Sequence, residues 1–471
     1  MVNFDLAVIG AGPAGYVGAI RAAQLGRRVV VFERDKLGGT CLNRGCIPTK
    51  AYLRAARVLE EARLWTALGI TGGRPGFDFA AMTARKDAVV AQLQAGIAGL
   101  LRANGVTLVN AGARIVAAGR VAAGGETYEA GDILVAAGSS PLRPPIPGID
   151  AEGVLTSDEL LAGRFFGELT IVGGGVIGME FASMYAALGA KVTVIEALDR
   201  VLATVDREIG QNLSMILRKR GVAIRTGCRV SAFERRGGKT VTVFSAKEGA
   251  VEEVAADAVL VAIGRRGNAE GLADASVGLA VERGRFVVDA DHRTSVPGIW
   301  AVGDVAKGDV QLAHAASAYA IRAVEKMSGR EGETDTALVP GCIFTDPEIA
   351  TVGMSEDEAR ARGLDVKSAK YLMSGNGKTI IELAERSFIK VVAEAGSGRL
   401  VGAQLMCPHA SDLVGELALA IHKGLSVRDV ASLVHPHPTL GEGVLEACES
   451  VLGTAIHVAP RNRARNVGSS H

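Results

Sequence analysis

Short blocks of apolar residues that run into glycine organise the first two thirds of this 471-residue chain. Leu6-Ala-Val-Ile9 leads into Gly10-Ala-Gly-Pro-Ala-Gly15, a helix-compatible segment follows to Leu25, and a second block, Arg28-Val-Val-Val-Phe32, ends on Glu33. That order predicts a βαβ unit. It recurs further on: Leu169-Thr-Ile-Val172 meets Gly173-Gly-Gly-Val-Ile-Gly178, then a helix-like stretch reaches Leu188, and Lys191-Val-Thr-Val-Ile195 ends on Glu196. Strands are also predicted within Asp132–Ser140 and over Ala258–Ile263, the latter ending in Gly264-Arg-Arg. Gly298-Ile-Trp-Ala-Val-Gly-Asp304 predicts a strand that delivers an aspartate at its carboxyl end. The prolines of Pro141–Pro147 read as a linker, with a boundary near residue 150. After the polar stretch 326–336 the pattern turns to α+β order, with strands near Phe388–Val392 and Leu400–Met406 and helices near Ser411–Lys423 and Val427–Leu433.

The glycines carry chemistry as well as turns. In each unit the first two, Gly10 and Gly12 or Gly173 and Gly175, allow a tight turn and close approach to a pyrophosphate at a helix amino end. The third, Gly15 or Gly178, lets helix and strand pack. Glu33 and Glu196, each 23 residues beyond the first glycine, stand where a carboxylate accepts a bond from a ribose hydroxyl. Two complete fingerprints predict two dinucleotides. At the second, Glu196 repels a 2′-phosphate and only Arg200 stands nearby as a compensating cation, which favours NAD over NADP.

Composition narrows the partners. The formal charge is +1, from 52 basic and 51 acidic residues, so no bulk field draws the chain to nucleic acid or to an anionic membrane. The longest uncharged stretch, Leu6–Ile20, is too short to span a bilayer, and no basic leader precedes it, so neither a membrane span nor a signal peptide is expected. The closing Gly468-Ser-Ser-His471 reads as the scar of an expression tag. Of six cysteines, Cys228, Cys342, Cys407 and Cys448 are scattered and read as buried thiols. The other two, Cys41 and Cys46, sit together in Gly38-Gly-Thr-Cys-Leu-Asn-Arg-Gly-Cys-Ile-Pro-Thr-Lys50. A redox pair and half of a metal site are both open there, but no second ligand pair is near enough to complete the latter. On a regular helix their Cα atoms stand about 8.7 Å apart, beyond the ~7 Å limit for bridging, so a disulfide would require broken helix between them. Near the end, Leu433-Val-His-Pro-His-Pro-Thr-Leu-Gly-Glu442 holds two of eight histidines, and Pro436 and Pro438 force His435 and His437 off the helical path. His409 and His457 lack a partner motif and read as structural.

The cysteine segment, the two fingerprints, Ala301-Val-Gly-Asp304 and His437-Pro-Thr-Leu-Gly-Glu442 together resemble the flavin-dependent pyridine-nucleotide disulfide oxidoreductases, over nearly the whole chain. Phe344-Thr-Asp-Pro-Glu348 and the His-x-His-Pro-Thr arrangement are more similar to the dihydrolipoamide-oxidising members than to the glutathione reductases. The resemblance implies an α/β fold of two Rossmann-like dinucleotide-binding domains plus a C-terminal α+β dimerisation domain. Residues 1–150 would bind FAD, 151–270 would bind NAD, 271–338 would form a central domain packing back on the first, and 339–471 would form the interface. It assigns Gly10, Gly12, Gly15, Glu33, Lys50, Gly112, Gly138, Ser139, Asp304, Gln311, Leu312, Ala313 and His314 to FAD. Gly173, Gly175, Gly178, Glu180, Glu196 and Gly264 go to the NAD side, with Glu180 also beside the flavin next to Lys50. It further implies that Cys41 is the interchange thiol, Cys46 the charge-transfer thiol, His437 a base and Glu442 its orienting carboxylate. No metal is implied. The expected reaction is oxidation of protein-bound dihydrolipoamide with reduction of NAD, by a cytoplasmic homodimer. Its expected partners are a lipoyl-bearing protein and the acyltransferase core of a 2-oxoacid dehydrogenase complex or the glycine cleavage system.

Three departures and two alternatives accompany that reading. Ala137 stands before Gly138 where a threonine is common, Pro436 replaces an alanine, and Arg44 inside the cysteine loop offers a cation to the thiols. Thr439-x-x-Glu442 also has the form of a capping box. The rivals are a related reductase of glutathione, a coenzyme A disulfide or mercuric ion, and a mainly structural flavoprotein subunit; the cysteine pair that many mercuric reductases add at the carboxyl end is missing after Cys448.

Overall fold

The computed structural model of the chain describes residues 3–73, 75–246, 249–332 and 334–459; the tag-like Gly468–His471 lies outside them. They fall into two compact units, residues 3–201 with 217–337, and 202–216 with 338–459.

The first unit opens with β1 (Asn3–Ile9), α1 (Pro13–Gln24) and β2 (Val29–Phe32). Next come α2 (Gly39–Arg44), α3 (Cys46–Glu61), the long α4 (Phe79–Ala103) and the strands β3 (Thr107–Val109), β4 (Ala113–Ala117), β5 (Arg120–Ala123) and β6 (Glu126–Val135). The sheet order is β3-β2-β1-β6-β5-β4, with β3, β2, β1 and β6 parallel. Strand β1 is central, which is why Leu6, Ala7 and Val8 are wholly buried and its sequence shows no polar alternation.

Beyond β7 (Ser139–Pro141), the elements β8 (Val154–Leu155), α5 (Ser157–Leu160), β9 (Glu168–Val172), α6 (Val176–Ala187) and β10 (Lys191–Glu196) begin a second parallel layer that β11 (Ala223–Thr226) continues, while α7 (Arg207–Lys219), between β10 and β11 in the chain, belongs mostly to the second unit. An antiparallel excursion through β12 (Arg229–Arg236), β13 (Lys239–Ser245) and β14 (Val251–Ala256) precedes β15 (Ala258–Val261), giving the order β11-β10-β9-β15-β8. The proline-rich segment is more than a connector, because Ile146 and Ile149 pack against Val172, Phe233 and Val259. After β16 (Arg265–Gly267) pairs with β7, and a ribbon forms from β17 (Val281–Glu282) and β18 (Arg285–Phe286), β19 (Ile299–Ala301) joins the first sheet parallel to β6. The turn after β19 therefore reaches the end of the first sheet where the strand β1 also ends, and α8 (Ala313–Met327) packs on α1.

In the second unit the strands are β20 (Gly341–Ile343), β21 (Glu348–Gly353), β22 (Val366–Leu372), β23 (Phe388–Glu394) and β24 (Leu400–Cys407), ordered β20-β21-β24-β23-β22 and antiparallel. Helix α9 (Glu356–Ala361) follows β21, and α10 (Gly377–Ile381) follows β22. The helices α11 (Ala410–His422), α12 (Val427–Ala431) and α13 (Glu442–Leu452) supply Val414, Leu417, Val430, Val444 and Ala447 to a core with Val391, Ala403 and Leu405. No described helix is long and apolar enough to cross a membrane.

Candidate active site

Both fingerprints are built alike. A Cβ on Gly15 would lie 1.8 Å from the Gly10 carbonyl oxygen, and one on Gly178 would lie 2.0 Å from that of Gly173, so the first helical turn can approach its strand only where side chains are missing. Helices α1 and α6 start at Gly12 and Gly175 with no side chain capping their amino ends, which leaves first-turn N–H groups for an anionic ligand. The two glutamates terminate the second strands as expected, with every carboxylate oxygen engaged. Glu33 accepts from Ala11 N (2.8 Å) and Asp35 N (2.9 Å); Glu196 accepts from Gly174 N (2.5 Å) and Leu198 N (2.7 Å). Each carboxylate thus ties its strand end to the glycine turn. Burial pushes the Glu33 carboxyl above its ordinary range, against the pull of those N–H groups.

Asp304 lies in the turn after β19, and its Oδ2 accepts from Ser139 Oγ at 2.5 Å. Arg265 donates to the same serine twice, from Nε to Oγ (2.8 Å) and from Nη2 to its carbonyl (2.7 Å). Arg265 escaped the sequence reading because its strand β16 meets β7 only in the fold; the signal was the charged pair after Gly264. Gly138 and Gly264 both have left-handed backbone, beside Ser139 and Arg265 respectively. Gly112 sits between β3 and β4, where an added Cβ would lie 3.7 Å from the Arg34 Cβ. Leu312 caps α8, Ala313 begins it, and His314 is exposed on its first turn. The amide Nε2 of Gln311 is buried with no hydrogen-bond partner among the described residues. An orphaned buried donor, uncapped helix ends and carboxylates fixed at strand ends are what a bound dinucleotide would complete, so these residues fit FAD at the first fingerprint.

The cysteine segment is two helices, not one. Helix α2 carries Cys41 and stops at Gly45, whose φ of −144° and ψ of −113° leave the helical region; α3 starts at Cys46. Glycine serves α2 a second time at Gly39, where a Cβ would come within 2.7 Å of Gly12 Cα, so the cysteine helix rests directly on the first fingerprint. Both thiols are free; Cys41 is half-buried and Cys46 exposed. Their environments split them. The hydrogen bond from Cys41 holds the Cys46 thiol at about 7, aided by the Lys50 ammonium one turn along α3 and opposed by desolvation and by Glu180. The same bond, with burial, pushes the Cys41 thiol strongly up. Lys50 itself is held by Glu180, with Nζ 2.8 and 3.0 Å from its two carboxylate oxygens, and that glutamate is 4% exposed. Arg44 does not serve as the cation expected of it: the guanidinium pairs with Asp35, since the end of α2 turns it to the loop after β2.

In the second unit His437 Nδ1 lies 2.9 Å from Glu442 Oε1, while Glu442 Oε2 accepts from Thr439 N at 2.9 Å. Burial raises the Glu442 carboxyl, but the Thr439 N–H and the His437 ring together bring it below its ordinary value. Of the capping box open at Thr439, only the bond from Thr439 N to the Glu442 carboxylate forms. Helix α13 starts later, on Glu442 with Gly441 as its cap, and the Thr439 hydroxyl donates instead to Pro436 O. His435 is a supporting residue, its Nε2 3.2 Å from Glu416 Oε1. His457, which no motif paired and which read as structural, lies with its Nδ1 2.5 Å from Glu446 Oε1. Glu446 is one turn beyond Glu442, a spacing visible in the sequence, but its histidine arrives from beyond the end of α13 and no motif marks it. No cluster of three or more His, Cys, Asp or Glu placed for a metal exists among the described residues.

The chain matches the pyridine nucleotide-disulphide oxidoreductase family over residues 4–320 and that family's dimerisation domain over 339–448. It is similar to the dihydrolipoyl dehydrogenase of Thermus scotoductus, at 38% identity over 98% of this chain and 100% of the relative. It is also similar to that of Halobacterium salinarum, at 40% over 97% and 98%. Among solved structures it is similar to the HOCl-induced flavoprotein disulfide reductase RclA from Escherichia coli, with a TM-score of 0.84 and 29% identity over 94% of this chain and 99% of that one.

Proposed function

As a member of the pyridine nucleotide-disulphide oxidoreductase family, the chain is an FAD- and NAD-linked oxidoreductase, and we propose that it oxidises dihydrolipoyl groups carried on a partner protein. The observation that carries this reading is the asymmetry of Cys41 and Cys46, combined with a histidine whose Nδ1 is held by a carboxylate. In the oxidised form the two cysteines share a disulfide. A thiolate of the substrate attacks Cys41, the Cys41–Cys46 bond breaks, and Cys46 leaves as the thiolate that Lys50 and the Cys41 environment favour. The second substrate thiol then attacks the mixed disulfide, releasing the lipoyl disulfide and leaving both cysteines reduced. Two electrons and two protons have moved from the substrate to the protein.

His437 takes the proton of the attacking thiol at Nε2, because Glu442 occupies Nδ1 and stabilises the imidazolium that results. In the homodimer that the dimerisation domain supports, we assign this pair to the thiols of the partner subunit. FAD, held by the first fingerprint, Ser139, Asp304 and the 311–314 stretch, supplies the two-electron link between a dithiol and a nicotinamide. Glu196 and its fingerprint hold NAD. The four-part division at residues 150, 270 and 338 belongs to the same reading. So do a cytoplasmic setting and docking to the acyltransferase core of a 2-oxoacid dehydrogenase complex or to the glycine cleavage system. Steady-state assays with dihydrolipoamide and NAD test the reading: Cys46→Ser is expected to abolish turnover, and near-normal turnover in that variant would refute the mechanism. The likeness to RclA makes reduction of another disulfide the second reading, and it wins if NADPH supports a disulfide reductase activity that dihydrolipoamide oxidation does not match.

A further inference from the structure

We infer that His292 and Asp309, which no step above uses, are a buried positioning pair that sets FAD affinity by fixing the turn bearing Asp304. The inference rests on Asp304 being a cofactor ligand. The two side chains are 7% and 9% exposed, and His292 Nε2 lies 3.0 Å from Asp309 Oδ1. The other carboxylate oxygen, Oδ2, accepts from Gly303 N at 2.8 Å, the residue immediately before Asp304. The backbone of His292 adds a second hold, since its carbonyl accepts from Ala301 N at the end of β19. One residue therefore grips the strand that enters the turn while its side chain, through Asp309, grips the turn itself.

Two features show that this arrangement is constrained. His292 adopts a left-handed backbone, with φ +70°, which a non-glycine residue seldom takes. Its Nδ1 is buried with no hydrogen-bond partner among the described residues, and the ring packs on Tyr319 with centroids 5.1 Å apart. Nε2 is the ring nitrogen that faces the Asp309 carboxylate, so a hydrogen carried there is donated to Oδ1. Asp309 thus accepts two hydrogen bonds, one of them from the turn. Asp304, one residue on, is aimed in turn by Ser139 and Arg265. Preorganising a ligand-binding turn in this way lowers the ordering cost that binding would otherwise incur.

The test measures FAD binding to apoprotein by flavin fluorescence, with apoprotein melting followed by circular dichroism. Asp309→Asn keeps an oxygen for Gly303, and His292→Asn tolerates the left-handed backbone, so both are expected to fold with apoprotein melting close to the parent. Each is expected to weaken FAD binding roughly ten-fold, with the double variant less than additive because the residues act as one unit. Asp304→Ala serves as the control. If it loses affinity while Asp309→Asn and His292→Asn retain the parent Kd, the inference fails alone. If Asp304→Ala also retains full affinity, the placement of Asp304 at the cofactor and the inference both fail. Should either pair variant not fold, the unaltered protein still decides: an exchange-protected Nε2–H signal of His292, coupled across the hydrogen bond to Asp309, supports the inference, and a His292 ring with no hydrogen held on Nε2 overturns it.

Discussion

Removing the Cys41 thiol tests the asymmetry on which the proposed chemistry depends. Cys46 is held at about 7 chiefly by the hydrogen bond from Cys41, so in Cys41→Ala the strongest lowering influence is gone, and the Lys50 ammonium and the Cys46 backbone N–H are left against desolvation and Glu180. The thiol should return toward the ordinary value of ~8.5. At pH 7 the thiolate fraction then falls from about one half to ~3%, and since only the thiolate alkylates, the iodoacetamide rate at Cys46 falls roughly 15-fold. Cys41→Ser retains a donor and is expected to stay near the parent. Lys50→Met should also move the midpoint upward, because it removes the cation and leaves the buried Glu180 charge uncompensated. The assay is the pH dependence of Cys46 labelling in the reduced protein, read on the isolated peptide by mass spectrometry. Cys407 and Cys448 are buried and pushed up to about 12, and will not compete. The sign is fixed: reactivity rises with pH through about 7 in the parent and at higher pH in Cys41→Ala. An unshifted midpoint in Cys41→Ala, or a parent midpoint near 8.5, would contradict the assignment.

His437→Gln should reduce turnover by about 10²- to 10⁴-fold while FAD content is unchanged, measured by steady-state kinetics and flavin absorbance. Glu196→Gln should narrow the NAD-to-NADP ratio of kcat/KM, because it removes the charge that repels a 2′-phosphate; an unchanged ratio removes Glu196 from specificity. The Glu446 carboxylate raises the His457 pKa, so the pair contributes stability below the unfolded histidine value, and that contribution disappears as pH rises through the raised folded value. His457→Ala should therefore lower Tm near pH 6 and leave it unaltered near pH 9.

The fingerprints, both terminal glutamates and the strands that carry them were legible because their signals are local: an apolar block, a fixed glycine spacing and a carboxylate at a set distance. The break between Cys41 and Cys46 was legible too, since bridging geometry forbids a continuous helix, and Gly45 supplies it. Helix α4 was not foreseen, for only Lys86, Ile97 and Leu101 along its 25 residues are buried, too few for a clear apolar stripe. Contacts that depend on the fold were invisible in the same way. Arg265 meets Ser139 across 126 residues and leaves no pattern in sequence, and Lys50 meets Glu180 across 130, a pair that spacing alone does not mark and that only the resemblance brought together. Arg44 shows the opposite error, a plausible cation by proximity in the chain that the fold turns toward Asp35. Thr439 and Glu442 match a capping motif letter by letter, yet only half of it forms: the Glu442 carboxylate is shared between Thr439 N and His437, and the helix begins on Glu442 itself.

The central claim is that electrons enter through Cys41 and Cys46 from a dihydrolipoyl group and leave to NAD. Anaerobic addition of dihydrolipoamide to the purified yellow protein, followed by NAD, measures it directly at the flavin absorbance, with NADPH and glutathione disulfide run alongside. The expected result is reduction by dihydrolipoamide, formation of NADH on adding NAD, and no comparable response to the glutathione pair. Failure of dihydrolipoamide to alter the flavin spectrum, with reduction by NADPH and reoxidation by another disulfide, would contradict it.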